Sequence, residues 1–338
     1  MTAYFIRRLL LVVPTFLGVT LLVFAVTRFV PGGPVDEILQ QLQLAGGDGS
    51  TSQSVGGETL SDQQINQLKA FYGLDQPMLS AYWEWIKKVL QLDLGISTRF
   101  QDPVLSLIAE RLPVSLFYGV TTLIIVYGVC IPLGIAKAIK HNQAFDNISS
   151  ILVFIGYAVP GYVLGILLLN IFAYQFDYFP MGGFVSDDFE TLTLTQKIAD
   201  IVKHAILPLI AYVAGSFAMI TLLMKNSLME NLSKDYMKTA VSKGLSFRQS
   251  VFRHALRNSL VPLATGFGGI LGVVLSGSFL IESIFNIDGI GLLGYESVIK
   301  RDYPVVMGIL VISSLLYLLG NILSDICVAI VDPRVKFE

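Results

Sequence analysis

The sequence predicts an all-α polytopic membrane protein with six transmembrane helices and an extracytoplasmic insertion between the first two. Three observations predict it. Hydrophobic residues make up 54% of the 338 and charged residues 14%, against roughly 25% charged in an ordinary globular domain. Six uncharged runs of about 20 residues or more recur along the chain, each long enough to cross a bilayer. Positive charge collects on alternate connections, as orientation in a membrane requires.

Paired Arg7 and Arg8 precede the first run, residues 9–27, and place the N-terminus in the cytoplasm. A cleaved signal peptide would have an apolar core of about 7–15 residues followed by a small-x-small site. Arg28 and a Pro-Gly-Gly-Pro sequence at 31–34 follow instead, so residues 1–30 read as the N-terminus and an uncleaved first span. Residues 31–111 form the insertion, with ten acidic and five basic residues. Within it, 45–58 is rich in Gly and Ser and reads as a flexible loop. Helical stripes flank that loop at 60–72, where Ser61 is a candidate N-cap, and at 80–90, where Tyr82, Trp83, Ile86 and Leu90 recur.

Residues 112–338 form the core, with five more spans. The second, 112–136, contains Pro132 and Gly134 and is followed by Lys137, Lys140 and His141. The third, 147–176, is longer than a bilayer requires, so it is tilted or broken near Pro160 and Gly161. An acidic external loop at 177–203 ends in a short surface helix over 195–203. The fourth span is 205–224. The fifth, 259–281, is dense in small residues, and Gly268-x-x-x-Gly272-x-x-x-Ser276 is a face that lets helices approach closely. The sixth, 303–324, leads to a cytoplasmic tail, so both termini are cytoplasmic.

The connection between spans four and five, 225–257, carries seven basic and two acidic residues and is therefore cytoplasmic. Leu232, Tyr236 and Ala240, with Met237 and Val241 beside them, make one apolar helix face. Gly244 breaks that pattern as a C′ glycine would. Ser246 and Gln249 form a capping box that starts a second short helix, with Phe247, Val251 and Ala255 on its apolar face. Two such faces outside the membrane need a cover. It is either the protein's own bundle and the headgroup layer, or a cytoplasmic partner.

Several chemistries are missing. The chain has no G-x-x-x-x-G-K-[ST] loop to cradle a nucleotide, no HExxH and no G-x-S-x-G. His141, His204 and His254 are scattered at span ends, and Cys130 and Cys327 lack metal-ligand spacing. No basic domain points to nucleic acid. None of the six span cores holds an ionisable residue, which a proton- or sodium-coupled carrier would usually keep there. Asp146, Glu282 and Asp325 stand at or near span boundaries, where solvation or a helix-end role would account for them. A secondary carrier and a scaffold without a path of its own remain as alternatives.

Lys238-Thr239-Ala240-x-x-x-Gly244, followed by Arg253-His254-Ala255-Leu256-Arg257-Asn258 and Pro262, resembles the EAA loop of ATP-binding-cassette importer permeases. The likeness is to the dipeptide/oligopeptide branch, because Lys238 and Thr239 stand where the general motif has Glu and Ala. The opening RRLLLVVPTFLGVTLLVF and the blocks at 72–97, 280–308 and 321–334 resemble the same family. PGGP, FPMGGFVSDDF and the ending DPRVKFE are most similar to its Yej-type B subunits, a branch linked to oligopeptide and microcin C uptake.

The resemblance implies a type I ABC importer permease fold in the bacterial inner membrane. It implies a permease subunit, not an enzyme, that carries peptides or peptide-like compounds such as microcin C by alternating access. ATP and Mg would be bound by partner ATPase subunits or one fused double ATPase, with no cofactor in this chain. A second homologous permease subunit, an extracytoplasmic peptide-binding protein and the lipid bilayer would be the other partners. Tyr236, Lys238, Thr239, Ala240, Lys243, Gly244, Ser246, Arg253 and His254 would belong to the coupling loop that docks on the ATPases. Gly268, Gly272 and Ser276 would line the translocation path or the subunit seam. Glu282 would meet a peptide amine at the outer mouth. Trp83, Trp85 and Asp93 would approach the binding protein.

Overall fold

The computed structural model describes residues 2–29, 76–275 and 277–332. The loop expected at 45–58, the helix expected at 60–72 and Ser276 lie outside the described residues. Those described are mainly helical, with one isolated bridge between Ile96 and Pro103.

Helix α1 is Thr2–Phe29, α2 is Met78–Leu90 and α3 is Val104–Ile139. Helix α4, Ala144–Ala158, is followed by α5, Gly161–Leu168, which continues as a π-helix over Leu169–Gln175. Helix α6 is Leu194–Ser233 and α7 is Asp235–Ser242. Helix α8 opens at Phe247–Ser250 and runs on through π-helical Val251–Ala255 and Leu256–Ser259. Helix α9 is Val261–Leu275, α10 Phe279–Ile284, α11 Ile290–Ile299 and α12 Tyr303–Val331.

Among the described residues, α1, α3, α6 and α12 are each long and apolar enough to cross a bilayer, and α4 with α5 makes one further, broken span bent by 91°. The bend lies where the third span contains Pro160. A residue before proline is driven out of the α region, and Val159 is extended, with φ −95° and ψ 118°. Gly161 then lies so close to α6 that a β-carbon would come within 2.5 Å of the Ala211 carbonyl oxygen.

Three expected boundaries are corrected. The surface helix expected at 195–203 is not separate: it is the first part of α6, whose 40 residues span about 60 Å. Asp200, Lys203 and His204 end the apolar run but offer no helix breaker. The fifth span does not reach residue 281 as one helix. Helix α9 stops at Leu275, Gly277 has φ +76° and Ser278 is extended. A β-carbon on Gly277 would also strike the Glu282 carboxylate. At 15 residues, α9 is about 22 Å long, short of the roughly 30 Å hydrocarbon layer. The sixth helix runs on past 324 to Val331.

The chain forms two compact units. One comprises Met1–Val12, Arg111–Leu293 and Leu315–Glu338; the other comprises Val13–Glu110 and Gly294–Ser314. Among the described residues, the first holds two apolar cores. One gathers Val126, Cys130, Ile220, Met224 and Leu228 with Met237, Val251, Ala255 and Leu263; the other gathers Tyr118, Ala173, Ala205, Ala211, Ile281 and Phe285. Arg8 and Asp325 pair at 2.7 Å within this unit.

In the second unit α2 packs on α1. Tyr82 meets Phe24 edge-on at 5.7 Å, and its hydroxyl is 2.9 Å from Thr20 Oγ1. Asp302, fully buried, accepts hydrogen bonds from Ser97 Oγ and from the backbone N–H groups of Thr98 and Arg99. That carboxylate ties the segment after α2 to the start of α12.

Candidate functional site

The loop between α6 and α9 is built from local signals. Lys234 is extended and starts α7. At the other end Gly244 has φ +89°, its N–H bonds the Val241 carbonyl at 2.9 Å, and the Leu245 N–H reaches the Ala240 carbonyl at 3.3 Å. This is the Schellman arrangement that a C′ glycine permits. Ser246 and Gln249 close a capping box. Gln249 N–H donates to Ser246 Oγ at 3.3 Å and Ser246 N–H to Gln249 Oε1 at 3.2 Å. A rigid helix–glycine–helix hairpin results.

The hairpin divides its apolar residues between two covers. Met237, Val251 and Ala255 are buried in the core with Met224 and Leu228 of α6 and Cys130 of α3, and Ala240 is buried as well. Tyr236 is half-buried and donates to Asn231 Oδ1 at 2.8 Å. The outward half keeps Val241, Phe247 and Phe252 about half exposed. Around them Lys238, Thr239, Lys243, Ser246, Arg248, Arg253 and His254 are all exposed. Lys238 pairs with Asp235 at 2.9 Å, but both are open to solvent, so that pair contributes little stability.

At the root of the loop lies an ionic cluster that sequence reasoning did not single out. Asp146 on α4 and Lys137 on α3 are buried. Lys225 on α6 places Nζ 2.8 Å from each Asp146 oxygen, and Lys137 Nζ is 3.1 Å from Oδ1. Lys137 Nζ also donates to the Asp146 carbonyl and to the hydroxyls of Ser149 and Ser150. The Asn142 N–H, at 3.2 Å, and His141 Nδ1, at 3.1 Å, complete the shell around Oδ2. Three helices are joined there. The available signal was positional: Lys137, Asp146 and Lys225 stand at the ends of neighbouring runs on one expected side of the membrane.

The small-residue face of α9 is used inside the chain. A β-carbon on Gly268 would collide with the Gly320 carbonyl of α12, and one on Gly272 would come within 2.8 Å of the Tyr317 ring. These two glycines therefore serve a contact between α9 and α12 of the same chain. Glu282, expected to meet a peptide amine at the outer mouth, is 1% exposed in this chain. Its carboxylate accepts from the N–H groups of Leu292 at 2.7 Å and Ser278 at 3.2 Å, and from the Tyr212 hydroxyl at 3.2 Å. Buried carboxylates persist where donors converge in this way. Glu282 pins the break after α9 to the segment that enters α11.

The three insertion residues separate. Trp83 is exposed beneath Lys87, and Asp93 is exposed with Oδ1 accepting from the Gly95 N–H. Trp85 turns inward and packs on Phe24 at 5.6 Å. Two residues apart on a helix means about 200° of rotation, so Trp83 and Trp85 cannot share one contact face.

Residues 130–337, which carry the ionic cluster, the loop and Glu282, match the family described as binding-protein-dependent transport system inner membrane component. The chain belongs to that family. This inner membrane component is 41% identical to the peptidoglycan transport system permease protein YejB of Agrobacterium fabrum, over all of this chain and 99% of that protein. It is 40% identical, over the full length of both, to the inner membrane ABC transporter permease protein YejB of Escherichia coli O157:H7. It is 34% identical, again over both full lengths, to the oligopeptide transport system permease protein AppB of Bacillus subtilis.

Proposed function

We propose that this inner membrane component is the permease subunit of an ATP-driven importer that carries peptides, moved by separate ATPase subunits pulling on residues 225–257. The observation that carries this reading is the two-sided hairpin. One side is locked into the bundle by Met237, Val251 and Ala255. The other presents Val241, Phe247 and Phe252 among basic residues. A surface of that kind on a rigid base suits a docked partner. A load on it passes into α6 through the shared core and into α3 and α4 through Asp146.

The relatives support this cargo. Their names give peptidoglycan and oligopeptide transport, and dipeptide transport for a further relative at 34% identity. Peptide is what these have in common, which supports oligopeptides as the substrate class; peptide-like compounds such as microcin C are included on the resemblance of the sequence alone. Six crossings of the bacterial inner membrane serve the task, the third made by bent α4–α5 and the fifth by α9 with α10. Both termini and the hairpin lie on the cytoplasmic side. ATP and Mg are held by the ATPases, a second homologous permease subunit completes the path, and a peptide-binding protein delivers cargo from outside. Alternating access is then a switch between two packings of the helix pairs, driven by closure of the ATPases.

The test is co-purification from membranes followed by ATPase assay with peptides. A crosslinker at Phe252 should join the chain to an ATPase, and peptide with its binding protein should raise hydrolysis. ATP-independent uptake by the chain alone in vesicles would overturn the reading in favour of a secondary carrier.

A further inference from the structure

We infer that the cleft between α3, bent α4–α5 and α6 holds one acidic phospholipid, its acyl chain in the cleft and its headgroup at the basic end. The 91° bend opens a wedge that α4 does not fill, since α4 buries only Asp146 and Val153. A groove of about 680 Å³ remains, lined by side chains including Ile125, Leu133, Leu152, Leu164, Ile210 and Phe217. The single hydroxyl on its wall is that of Ser149, and Lys137 Nζ already donates to it at 2.8 Å.

The wall chemistry selects the occupant. Water finds too few polar partners there to be ordered. A peptide would bury N–H and C=O groups with nothing to pair them. Helices that pack in bilayers meet through small residues, and this wall sets only Ser149, Gly156 and Ala214 among ten larger apolar side chains. A hydrocarbon chain needs none of these things.

The end of the groove selects the headgroup. Ser149 links the apolar wall directly to the ionic cluster. Lys137, Lys140 and Lys225 stand there against one carboxylate, Asp146, so these four groups carry three positive charges less one, a surplus of two. Lys137 is buried and saturated by Asp146, Ser149 and Ser150. Lys140, exposed over the Phe145 ring, and Lys225 at the cluster edge face an anionic headgroup.

The chain, with whatever subunits accompany it, is extracted in mild detergent and passed into nanodiscs of mixed phosphatidylglycerol and phosphatidylcholine, and retained lipid is identified by native mass spectrometry. One phosphatidylglycerol per chain is expected to persist. Lys140→Gln should lower its retention about fivefold and leave phosphatidylcholine unchanged, since one basic group near an anionic headgroup is worth about that factor. Ala214→Phe should block the groove. Should that variant fail to fold, a photoreactive benzoylphenylalanine at the exposed Leu152 reports by itself, and its adduct should have the mass of phosphatidylglycerol. Equal retention of the two lipids would overturn the proposal, and so would an adduct to a second permease subunit in place of lipid.

Discussion

Lys225 Nζ stands 2.8 Å from both carboxylate oxygens of Asp146, across 79 residues of chain, at the point where α6 leaves the bundle for the hairpin. With Lys137 sharing the same carboxylate, removing the acid leaves two lysines facing each other out of water. Breaking such a buried pair costs about 3–5 kcal/mol. Asp146→Asn is therefore expected to lower the melting temperature of the solubilised protein clearly. The triple change Asp146→Leu, Lys137→Met and Lys225→Met should recover much of it, because an apolar replacement of a buried ion cluster is often neutral. An unshifted melting curve for Asp146→Asn would show that the cluster carries no load.

Gly244 tests the hairpin itself. Its φ is +89° and nothing lies within 4 Å of where a β-carbon would be, so any effect of substitution comes from backbone strain alone. For an L-residue that strain is about 1–2 kcal/mol. Gly244→Val should leave insertion intact and reduce peptide-stimulated ATP hydrolysis by the complex. Gly244→Asn, which tolerates the left-handed region better, should retain most of it. Equal activity in all three proteins would mean that the turn does not transmit force.

Why this turn was legible in the sequence, and the Asp146 cluster was not, is a matter of range. Gly244, Ser246 and Gln249 act through residues one to five positions away, so the sequence displays cause and effect together. Val159 before Pro160 is equally local, and the bend follows from it. Asp146 and Lys225 look like ordinary boundary charges until three helices are packed. Likewise, hydropathy sees an apolar run through residue 281 and is blind to Gly277 at φ +76°, which ends α9 early. The charges at Asp200 and Lys203 mark where apolar sequence starts, yet α6 runs through both because helix and hydrophobicity have separate boundaries.

The glycines of α9 separate packing from path. Gly268 has no room for a β-carbon because of Gly320, whereas neighbouring Gly269 has nothing within 4 Å. Gly268→Ala should part α9 from α12 and destabilise by about 1–3 kcal/mol through overpacking. Gly269→Ala should leave the melting temperature unchanged or slightly raised, as adding a methyl to an open helix position reduces backbone freedom only in the unfolded chain. Equal melting of the two variants would contradict the close approach.

For Glu282, two roles give different substrate dependence. As a pin between Ser278 and Leu292, its loss disorders the segment whatever the cargo. Glu282→Ala should then lower uptake of a peptide and of its N-acetylated form by the same factor, together with a drop in melting temperature. A loss confined to the free-amine peptide would restore the contact with a peptide amine.

The insertion offers a paired control. Trp83 is exposed on α2 while Trp85 packs on Phe24, so one substitution touches a surface and the other a core. Trp85→Ala removes a partly buried indole and should cost roughly 1–3 kcal/mol. It should leave the affinity of the folded fraction for a binding protein unchanged. Trp83→Ala removes only a surface contact with Lys87 and should change melting far less than Trp85→Ala. If this face receives the binding protein, that variant weakens the association, because exposed aromatic residues are common anchors at interfaces. Surface-captured complex titrated with the binding protein reads the difference. Unchanged affinity for both Trp83→Ala and Asp93→Ala would place the contact elsewhere on the insertion.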